Sequence, residues 1–194
     1  MTDFIFGYGS LICANSRSRT GVSGDAIPVT VLGIKRGWYV SVPVARHTAV
    51  GAIEDSSAQC NGVIFPVDAE NLPRFDEREQ GYRRVPLAKS QINSDQQIPA
   101  NATIWTYVGR KTSSPSEQYP ITQSYLDVIL RGCFSWSEEF AVQFIQTTSH
   151  WGDLINDRSH PRYPRAIESD HHHHQYDLFL KQHLPELLKN RKNS

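Results

Sequence analysis

The chain has 194 residues, a length that suits one domain with a complete hydrophobic core. Its 20 lysines and arginines balance 20 aspartates and glutamates, so no net field favours nucleic acid, an anionic membrane or an acidic partner. The sequence has no run of about 18 apolar residues, no cationic start before a long apolar core, and no CxxC pair among its scattered cysteines. We therefore expect a cytoplasmic protein with reduced thiols that binds neither nucleic acid nor a membrane.

Strands are predicted through the first third of the chain. Phe4 to Tyr8 is a short apolar and aromatic run stopped by a glycine, which predicts a buried first strand. Residues 29–44 are rich in Val, Ile, Trp and Tyr, and they predict two strands with bends or bulges at Gly33 and Gly37. Residues 45–61 are polar and rich in small side chains, which predicts a loop.

A strand followed by a helix is predicted next. Residues 62–67 form the strand, and Asp68 is placed as the helix N-cap because its carboxylate can accept hydrogen bonds from free amide groups. Gly81 is a natural C-terminal stop, so the helix is expected to end close to Glu79. Two further strands are predicted from alternating residues, over 82–92 and 102–108.

Helices are predicted through most of the second half. Residues 111–120 are rich in Ser and Pro and form a predicted surface loop. A helix then starts at Ile121, carries Tyr125 on its inward face and ends at Gly132. Ser135 has the spacing of a capping box and is expected to open another helix. A tract of four histidines and a final amphipathic segment complete the chain.

These elements predict an α+β fold, built as a small, mixed and partly closed β-barrel flanked by helices. Residues 1–150 are expected to form the domain that carries the chemistry. Residues 151–194 are expected to form a C-terminal extension, made of a histidine-rich loop and a helix. The pattern leaves open whether this extension caps a pocket, extends an interface or does neither.

The segment Arg78-Glu79-Gln80-Gly81-Tyr82-Arg83 holds the main candidate for chemistry. A glutamate at a helix end is most often solvated, but here a glycine and aromatic side chains accompany it. Loss of hydration disfavours the charged form and raises a carboxyl pKa from about 4.3 toward neutrality. We therefore predict that Glu79 is a general acid/base, provided that the neighbouring arginines do not lower its pKa.

A glycine-rich turn ends the first strand, in the segment Phe6-Gly7-Tyr8-Gly9-Ser10-Leu11. One interpretation is a plain turn in which Gly9 serves only the backbone angle. The other is that exposed amide groups after the strand bind a small carboxylate. The segment is not a phosphate-binding P-loop, because the GxxxxGK[ST] pattern is absent from it.

Three other features have an ordinary explanation beside a functional one. Tyr125 is explained by core packing; alternatively, its hydroxyl could reach a substrate-binding pocket. Cys13 is explained as a free thiol packed in the core; alternatively, it could be a nucleophile that His47 deprotonates. In the histidine tract only His171 and His174 share a helix face, so a solvated tract is favoured over a zinc site.

The order of these motifs resembles that of the γ-glutamylcyclotransferases. The strand-ending F-G-Y-G-S-L stands at residues 6–11, R-E-x-G-Y-R at 78–83, and Y-x-x-x-x-x-x-G at 125–132. The resemblance extends over residues 4–148. It implies the fold of that family, a small mixed barrel flanked by helices, in agreement with the predicted elements.

Members of that family convert a γ-glutamyl compound to 5-oxoproline and release the attached amine or peptide. The resemblance implies that Glu79 is the general acid/base, and that the chain acts in glutathione metabolism as a monomer or homodimer, on a small γ-glutamyl substrate, without cofactor or metal. It implies that the substrate is bound by Tyr8, Gly9, Ser10, Leu11, Ile12, Cys13 and Tyr125.

The leaving group and two other classes of function stay open. Leu11 stands where the small mammalian-type enzymes have Asn, and no proline precedes Gly51 as it does in the glutathione-specific branch. One alternative function is a non-catalytic module of the same fold that binds a small ligand. Another is an amidase or acyltransferase that depends on Cys13.

Overall fold

Residues 2–109, 112–167 and 170–194 are described by the computed structural model of the chain. Within them ten strands form one mixed sheet, and six α-helices flank it. The strands are β1 (Thr2–Gly7), β2 (Ile27–Val42), β3 (His47–Val67), β4 (Tyr82–Leu87), β5 (Ile92–Asn93), β6 (Ala102–Gly109), β7 (Ile121–Thr122), β8 (Thr148–Ser149), β9 (Leu154–Asn156) and β10 (Lys192–Asn193). The helices are α1 (Ala14–Ser18), α2 (Leu72–Arg78), α3 (Gln123–Phe134), α4 (Glu138–Gln146), α5 (His173–His183) and α6 (Pro185–Lys189). The prediction of an α+β fold with a mixed, partly closed sheet and flanking helices is confirmed.

The centre of the sheet brings two loops to one edge. β1 lies between β3 and β6, and β6 pairs on its other side with β4. β1 and β6 are parallel, with Ile5 opposite Trp105, so both strands end at the same edge. β4 runs antiparallel to β6, and Tyr82 at its start lies opposite Gly109 at the end of β6. The turn after β1 and the residues before β4 are therefore about two strand spacings, or about 10 Å, apart.

β2 and β3 form one long hairpin. The prediction of two strands over residues 29–44 is wrong, because β2 is one strand with two breaks in register. The first is at Gly33, with a φ of 81°, and the second at Tyr39 rather than Gly37. The predicted loop over residues 45–61 is also wrong, since β3 begins at His47. Polar side chains in the middle of β3 are exposed while its backbone pairs with β2, and composition alone does not report that pairing.

Helix α2 carries the candidate carboxylate at its end. It spans Leu72–Arg78 with Glu79 as the C-cap, and Gly81 follows in the left-handed region at a φ of 95°. The predicted stop is therefore confirmed. The N-cap is Asn71 rather than Asp68, because a turn intervenes. In that turn the Asp68 carboxylate accepts a hydrogen bond from the Asn71 amide at 2.8 Å.

The predicted strand over residues 82–92 is divided in the structure. β4 ends at Leu87, and a short 3-10 turn over Lys89–Gln91 separates it from β5. The change of direction lets β4 pair with β6 while β5 pairs with β2.

Helix α3 does not end at Gly132, as the sequence predicts, but continues to Phe134. A Cβ at Gly132 would lie only 2.5 Å from the backbone nitrogen of Cys13, so glycine lets α3 pack directly on the turn after β1. Helix α4 is capped by Ser137 and not by Ser135. The Ser137 side chain accepts a hydrogen bond from the Phe140 amide at 3.1 Å.

Residues after 150 add strands to the same sheet. β9 pairs with β7, and β10 pairs with β9. In α5, Phe179 is buried while Leu178 is 54% exposed. The boundary between a domain over residues 1–150 and an extension over 151–194 stays a proposal. Lys111, in the predicted surface loop, lies outside the described residues. None of the helices in the described ranges has the length and apolar character needed to cross a membrane.

Candidate active site

A cavity of about 430 Å³ lies where the end of β1 meets the end of α2. Its polar part is lined by Tyr8 to Leu11, Arg78, Glu79 and Tyr125. The tip of the β2–β3 hairpin and the segment from Tyr163 to Arg165 complete the wall. The two motifs that the sequence analysis singled out therefore share one cavity.

Glu79 is withdrawn from bulk water, with a side chain that is 17% exposed. Its Oε1 lies 3.1 Å from Nε of Arg78. Burial raises the pKa of the Glu79 carboxyl above its usual value, although Arg78 and, more weakly, Arg165 lower it. Loss of hydration outweighs the two positive charges because the carboxyl is enclosed by the cavity wall.

Arg78 connects the carboxylate to the turn after β1. Its Nη2 donates to Oγ of Ser10 at 3.0 Å, and its Nη1 donates to the backbone oxygen of Ser16 at 3.1 Å and to the hydroxyl of Thr20. A guanidinium with partners on several sides has little freedom to rotate. Arg78 therefore holds Glu79 and Ser10 in a fixed relation.

Two other arginines close in sequence, Arg83 and Arg84, pair with other carboxylates. Arg83 pairs with Glu54 at 2.6 Å, and Arg84 pairs with Asp76 at 2.7 Å. The sequence-based assignment of Glu79 required that nearby arginines do not lower its pKa overall. Among the described residues only Arg78 contacts the carboxyl, and burial outweighs the lowering by Arg78 and Arg165.

The turn after β1 is a 3-10 turn over Ser10–Ile12. The amide of Ile12 donates to the Gly9 oxygen at 2.9 Å, and the amide of Cys13 donates to the Ser10 oxygen at 3.2 Å. Those two amides are thus used within the turn. Ile12 and Cys13 are buried outside the cavity lining, whereas Tyr8, Gly9, Ser10 and Leu11 line it.

Arg17 fixes the direction of this turn. It donates to the backbone oxygens of Leu11 at 2.9 Å and Ile12 at 2.8 Å. Gly9 leaves space on the cavity side: a Cβ there would lie 3.4 Å from the Tyr125 hydroxyl oxygen. The small residue therefore permits a close approach to the backbone at the head of the turn.

Tyr125 projects from the first turn of α3 into the cavity lining. Its ring contacts Trp38 and His47 edge-on at centroid distances of 5.8 and 5.5 Å, and Tyr163 at 4.6 Å. Burial raises the pKa of the Tyr125 hydroxyl, and the nearby Ser10 side chain lowers it by a smaller amount. The hydroxyl is therefore neutral near pH 7 and is available as a hydrogen-bond donor.

Three more tyrosines surround the carboxyl. Burial raises the pKa of Tyr8, Tyr82 and Tyr107, and the Glu79 charge adds a smaller rise to each. For Tyr107 the hydrogen bond to Asp76 and the charge of Asp76 contribute more than Glu79 does. The Tyr8 hydroxyl donates to the Tyr107 backbone oxygen at 2.5 Å, and the Tyr82 hydroxyl to the Val50 oxygen at 3.5 Å. These neutral rings form the low-polarity surroundings that keep water from Glu79.

The remaining candidates are placed apart from this carboxyl. Cys13 is buried behind the turn, while His47 lines the cavity. Burial lowers the pKa of His47, so its ring is neutral at pH 7. In the histidine tract, His172 contacts Asp170 at 2.9 Å and His173 contacts Asp127 at 3.5 Å. Among the described residues no group of three or more His, Cys, Asp or Glu side chains has a metal-binding arrangement.

Sequence reasoning missed Arg36, which is 0% exposed. Its guanidinium donates to the backbone oxygen of Tyr8 at 3.1 Å and so positions the turn from within the core. Its other acceptors are neutral groups on three elements: Asn61 O and Oδ1, Phe144 O, Thr147 Oγ1 and Thr148 Oγ1. The available signal was an arginine inside an apolar strand.

Solved structures with the same architecture include one named gamma-glutamyl cyclotransferase. It is 14% identical with a TM-score of 0.57, and the match covers 73% of this chain and 87% of that one. An uncharacterised human protein is 15% identical with a TM-score of 0.57, over 72% of this chain and 86% of its own. YkqA from Bacillus subtilis is 14% identical with a TM-score of 0.52, over 76% and 56%. Because the sequence identities are only 14–15%, these matches show a shared fold alone. No curated protein sequence matches the chain.

The family relationship is carried by the sequence itself. The family model for gamma-glutamyl cyclotransferase, AIG2-like proteins matches residues 5–127, which is more than half of the chain. The matched range contains both the turn after β1 and Glu79, and it ends within α3. The chain therefore belongs to the AIG2-like gamma-glutamyl cyclotransferase family.

Proposed function

We propose that the chain is a γ-glutamyl cyclotransferase that releases 5-oxoproline from a γ-glutamyl peptide or amine. One observation carries the proposal: the carboxyl of Glu79 is 17% exposed, has a raised pKa, and is joined through Arg78 to the turn from Tyr8 to Leu11. A cyclotransferase-type activity agrees with the family. The acid/base role of Glu79 and the roles of the turn are our inference.

The reaction is an intramolecular acyl transfer. The α-amino nitrogen of the γ-glutamyl group attacks its own γ-carbonyl carbon and forms the C–N bond of a five-membered ring. The bond from that carbon to the departing nitrogen then breaks, and the departing nitrogen takes up one proton. From its ammonium form the attacking nitrogen loses two protons to become the ring N–H. One of them balances the proton taken up on C–N cleavage and the other protonates the released amine, so no oxidant, water or cofactor enters the balance.

Glu79 is assigned to both proton transfers. The α-ammonium group has a pKa of about 8 and must lose a proton before it can attack. A carboxylate whose pKa is raised toward that value is a stronger base than a solvated one, and once protonated it is an acid for the departing nitrogen. Arg78 keeps the carboxyl at the cavity wall between the two steps.

The turn from Tyr8 to Leu11 is assigned to substrate binding. Backbone amides at Gly9 and Ser10 would hold the glutamyl α-carboxylate or the oxyanion that forms on the γ-carbonyl. The neutral Tyr125 hydroxyl, which lies beside Ser10, would donate a further hydrogen bond. Folding the short glutamyl chain into an attack geometry supplies much of the remaining acceleration, because the reaction is intramolecular.

Incubation of the purified protein with γ-glutamyl amino acids, γ-glutamyl amines and glutathione, followed by chromatographic detection of 5-oxoproline, tests the proposal. We expect product from at least one of them, with turnover retained by Cys13→Ser. Binding without product, seen as a raised melting temperature alone, would instead indicate a non-catalytic module. Loss of activity in Cys13→Ser would indicate the thiol-dependent amidase or acyltransferase. A cytoplasmic location and a monomeric or homodimeric state belong to the same proposal.

A further inference from the structure

Arg165 is a half-buried arginine on the cavity wall. Among the described residues, one other arginine lines the cavity, Arg78, which contacts Glu79, Ser10, Ser16 and Thr20. The Arg165 side chain makes no ion pair or hydrogen bond with the residues that the structure describes, but its charge lies close enough to Glu79 to lower the pKa of that carboxyl. An uncommitted guanidinium in a substrate cavity is a binding group for an anion, since guanidinium matches carboxylate geometry.

The segment that carries Arg165 is held in place by buried contacts. Asp157 is 0% exposed and accepts hydrogen bonds from the Ser124 amide at 2.8 Å, the Ser124 hydroxyl at 2.6 Å and the Arg162 amide at 2.8 Å. Arg162 in turn donates to the Arg46 backbone oxygen at 3.1 Å, which ties the segment to the hairpin tip. Arg165 is therefore positioned by the fold.

Tyr163 connects this segment to the catalytic side of the cavity. Its ring packs on Tyr125 at a centroid distance of 4.6 Å, and it is 7% exposed. Its hydroxyl oxygen is buried without a hydrogen-bond partner among the described residues. A buried hydroxyl left in that state costs free energy, which a polar ligand group in the cavity would recover.

The hairpin side of the cavity is mostly apolar. Its aliphatic residues are Val40, Val42, Pro43, Val44, Ala45, Ala49 and Val50, and its polar ones are Ser41 and His47. Val44 at the tip is 99% exposed, so the apolar surface reaches the mouth of the cavity. Among the described residues, the part of a substrate that lies beyond the γ-carbonyl would therefore meet mainly aliphatic side chains and the guanidinium of Arg165.

The two classes of substrate differ in charge. A γ-glutamyl amino acid has two carboxylates, one on the glutamyl group and one on the leaving amino acid, whereas a γ-glutamyl amine has only the first. The turn amides supply a site for one carboxylate. The second needs a cation on the leaving-group side, and Arg165 is the arginine of the described lining that has no ion pair or hydrogen bond there.

We propose that Arg165 is a specificity-determining residue that binds the carboxylate of the leaving amino acid, and that γ-glutamyl amino acids with aliphatic side chains are the preferred substrates. The inference rests on the proposed cyclotransferase function. It assigns the leaving group from residues beyond position 127, where the family match ends.

A matched substrate pair isolates this carboxylate. γ-Glutamyl-leucine and γ-glutamyl-3-methylbutylamine share the same aliphatic chain and differ in the carboxylate alone. We expect wild type to prefer γ-glutamyl-leucine in kcat/KM by about 10- to 100-fold, the range of a hydrogen-bonded charged contact. Arg165→Gln should remove the preference, so that the ratio of kcat/KM for γ-glutamyl-leucine to kcat/KM for the amine falls toward one. Loss of the Arg165 charge near Glu79 acts on both substrates and leaves this ratio unchanged.

Two further variants complete the experiment. Arg165→Lys keeps the charge but not the planar fork, and it should keep part of the preference. Arg19→Gln removes an exposed arginine that contacts Ala166 O in the same segment at 3.4 Å but does not line the cavity, and it should keep the whole preference. Melting temperatures establish that each variant is folded.

The outcomes separate this inference from the proposed function. If Arg165→Gln lowers kcat/KM equally for both substrates, or changes neither, the assignment of Arg165 to the leaving group is overturned while the cyclotransferase activity stands. If wild type makes 5-oxoproline from glutathione but from neither of these compounds, this inference is overturned while the proposed function stands. If it makes none from any of the three substrate classes, both fail.

Discussion

Glu79→Gln is expected to lose 5-oxoproline formation while the protein stays folded and still binds substrate. The amide keeps the shape of the carboxyl but cannot exchange protons near pH 7. General acid/base catalysis contributes about 10²- to 10⁴-fold in one transfer, and Glu79 is assigned to two transfers. We therefore expect kcat to fall at least about 10³-fold. Quantifying 5-oxoproline over time at saturating substrate measures this change.

The matched control is Glu77→Gln, on the exposed face of the same helix and outside the cavity. It should retain the wild-type kcat. Retention of activity by Glu79→Gln within about 10-fold of wild type would contradict the acid/base assignment.

Glu79→Gln should also change how the stability of the folded protein depends on pH. The carboxyl pKa is raised in the folded protein, so the folded state keeps this proton to a higher pH than the unfolded chain does. That contribution to stability is full below the unfolded pKa and is lost as the pH rises through the folded pKa. Glutamine does not titrate. The melting temperature of Glu79→Gln relative to wild type should therefore increase as the pH rises from the ordinary glutamate pKa of about 4.3 through the raised pKa of the folded protein.

Arg36→Met is expected to cause the largest loss of stability of any substitution considered. The fully buried guanidinium makes six hydrogen bonds to neutral acceptors, and its removal leaves those acceptors buried without a partner. Each buried polar group that loses its partner costs about 1–3 kcal/mol. We expect the free energy of unfolding to fall by at least about 4 kcal/mol, a large part of the usual total of about 5–15 kcal/mol. Urea denaturation measures it.

Arg83→Met provides the comparison, since Arg83 has a side chain that is 55% exposed and pairs with Glu54 on the surface. Exposed ion pairs contribute about 0–1 kcal/mol, so this variant should unfold close to wild type. A loss of less than about 1 kcal/mol in Arg36→Met would show that the Arg36 network does not hold the turn after β1.

The parts of the site that lie close in sequence were predictable. Gly81 stops α2 and so places Glu79 at a helix end, as the residue pattern predicts. The turn after Phe6 follows from the apolar run and the glycines around it. Both predictions depend on local backbone preferences, which the sequence displays directly.

The parts that depend on long-range pairing were not predictable. The polar middle of β3 is a strand because its backbone pairs with β2, and its composition alone favours a loop. Gly132 matches the sequence pattern of a helix C-terminus, but it lies within α3. The absence of a side chain there lets the backbone of Cys13, which is distant in sequence, pack directly against the helix. Tyr163 and Arg165 lie at the cavity in a segment that is held by hydrogen bonds from Ser124 on α3 to the Asp157 carboxylate. A contact between residues so far apart is not predicted by the spacing of apolar residues in the sequence.

The pKa of the Glu79 carboxyl in the folded protein tests the central claim most directly. Glutamate labelled with ¹³C at the side-chain carboxyl gives one resonance per residue, and the resonance absent from Glu79→Gln identifies Glu79. We predict a titration midpoint above the ordinary glutamate value of about 4.3, because burial outweighs the charge of Arg78. A midpoint at or below about 4.3 would show a solvated or ion-paired carboxylate, and would contradict its assignment as the group that exchanges protons with the substrate.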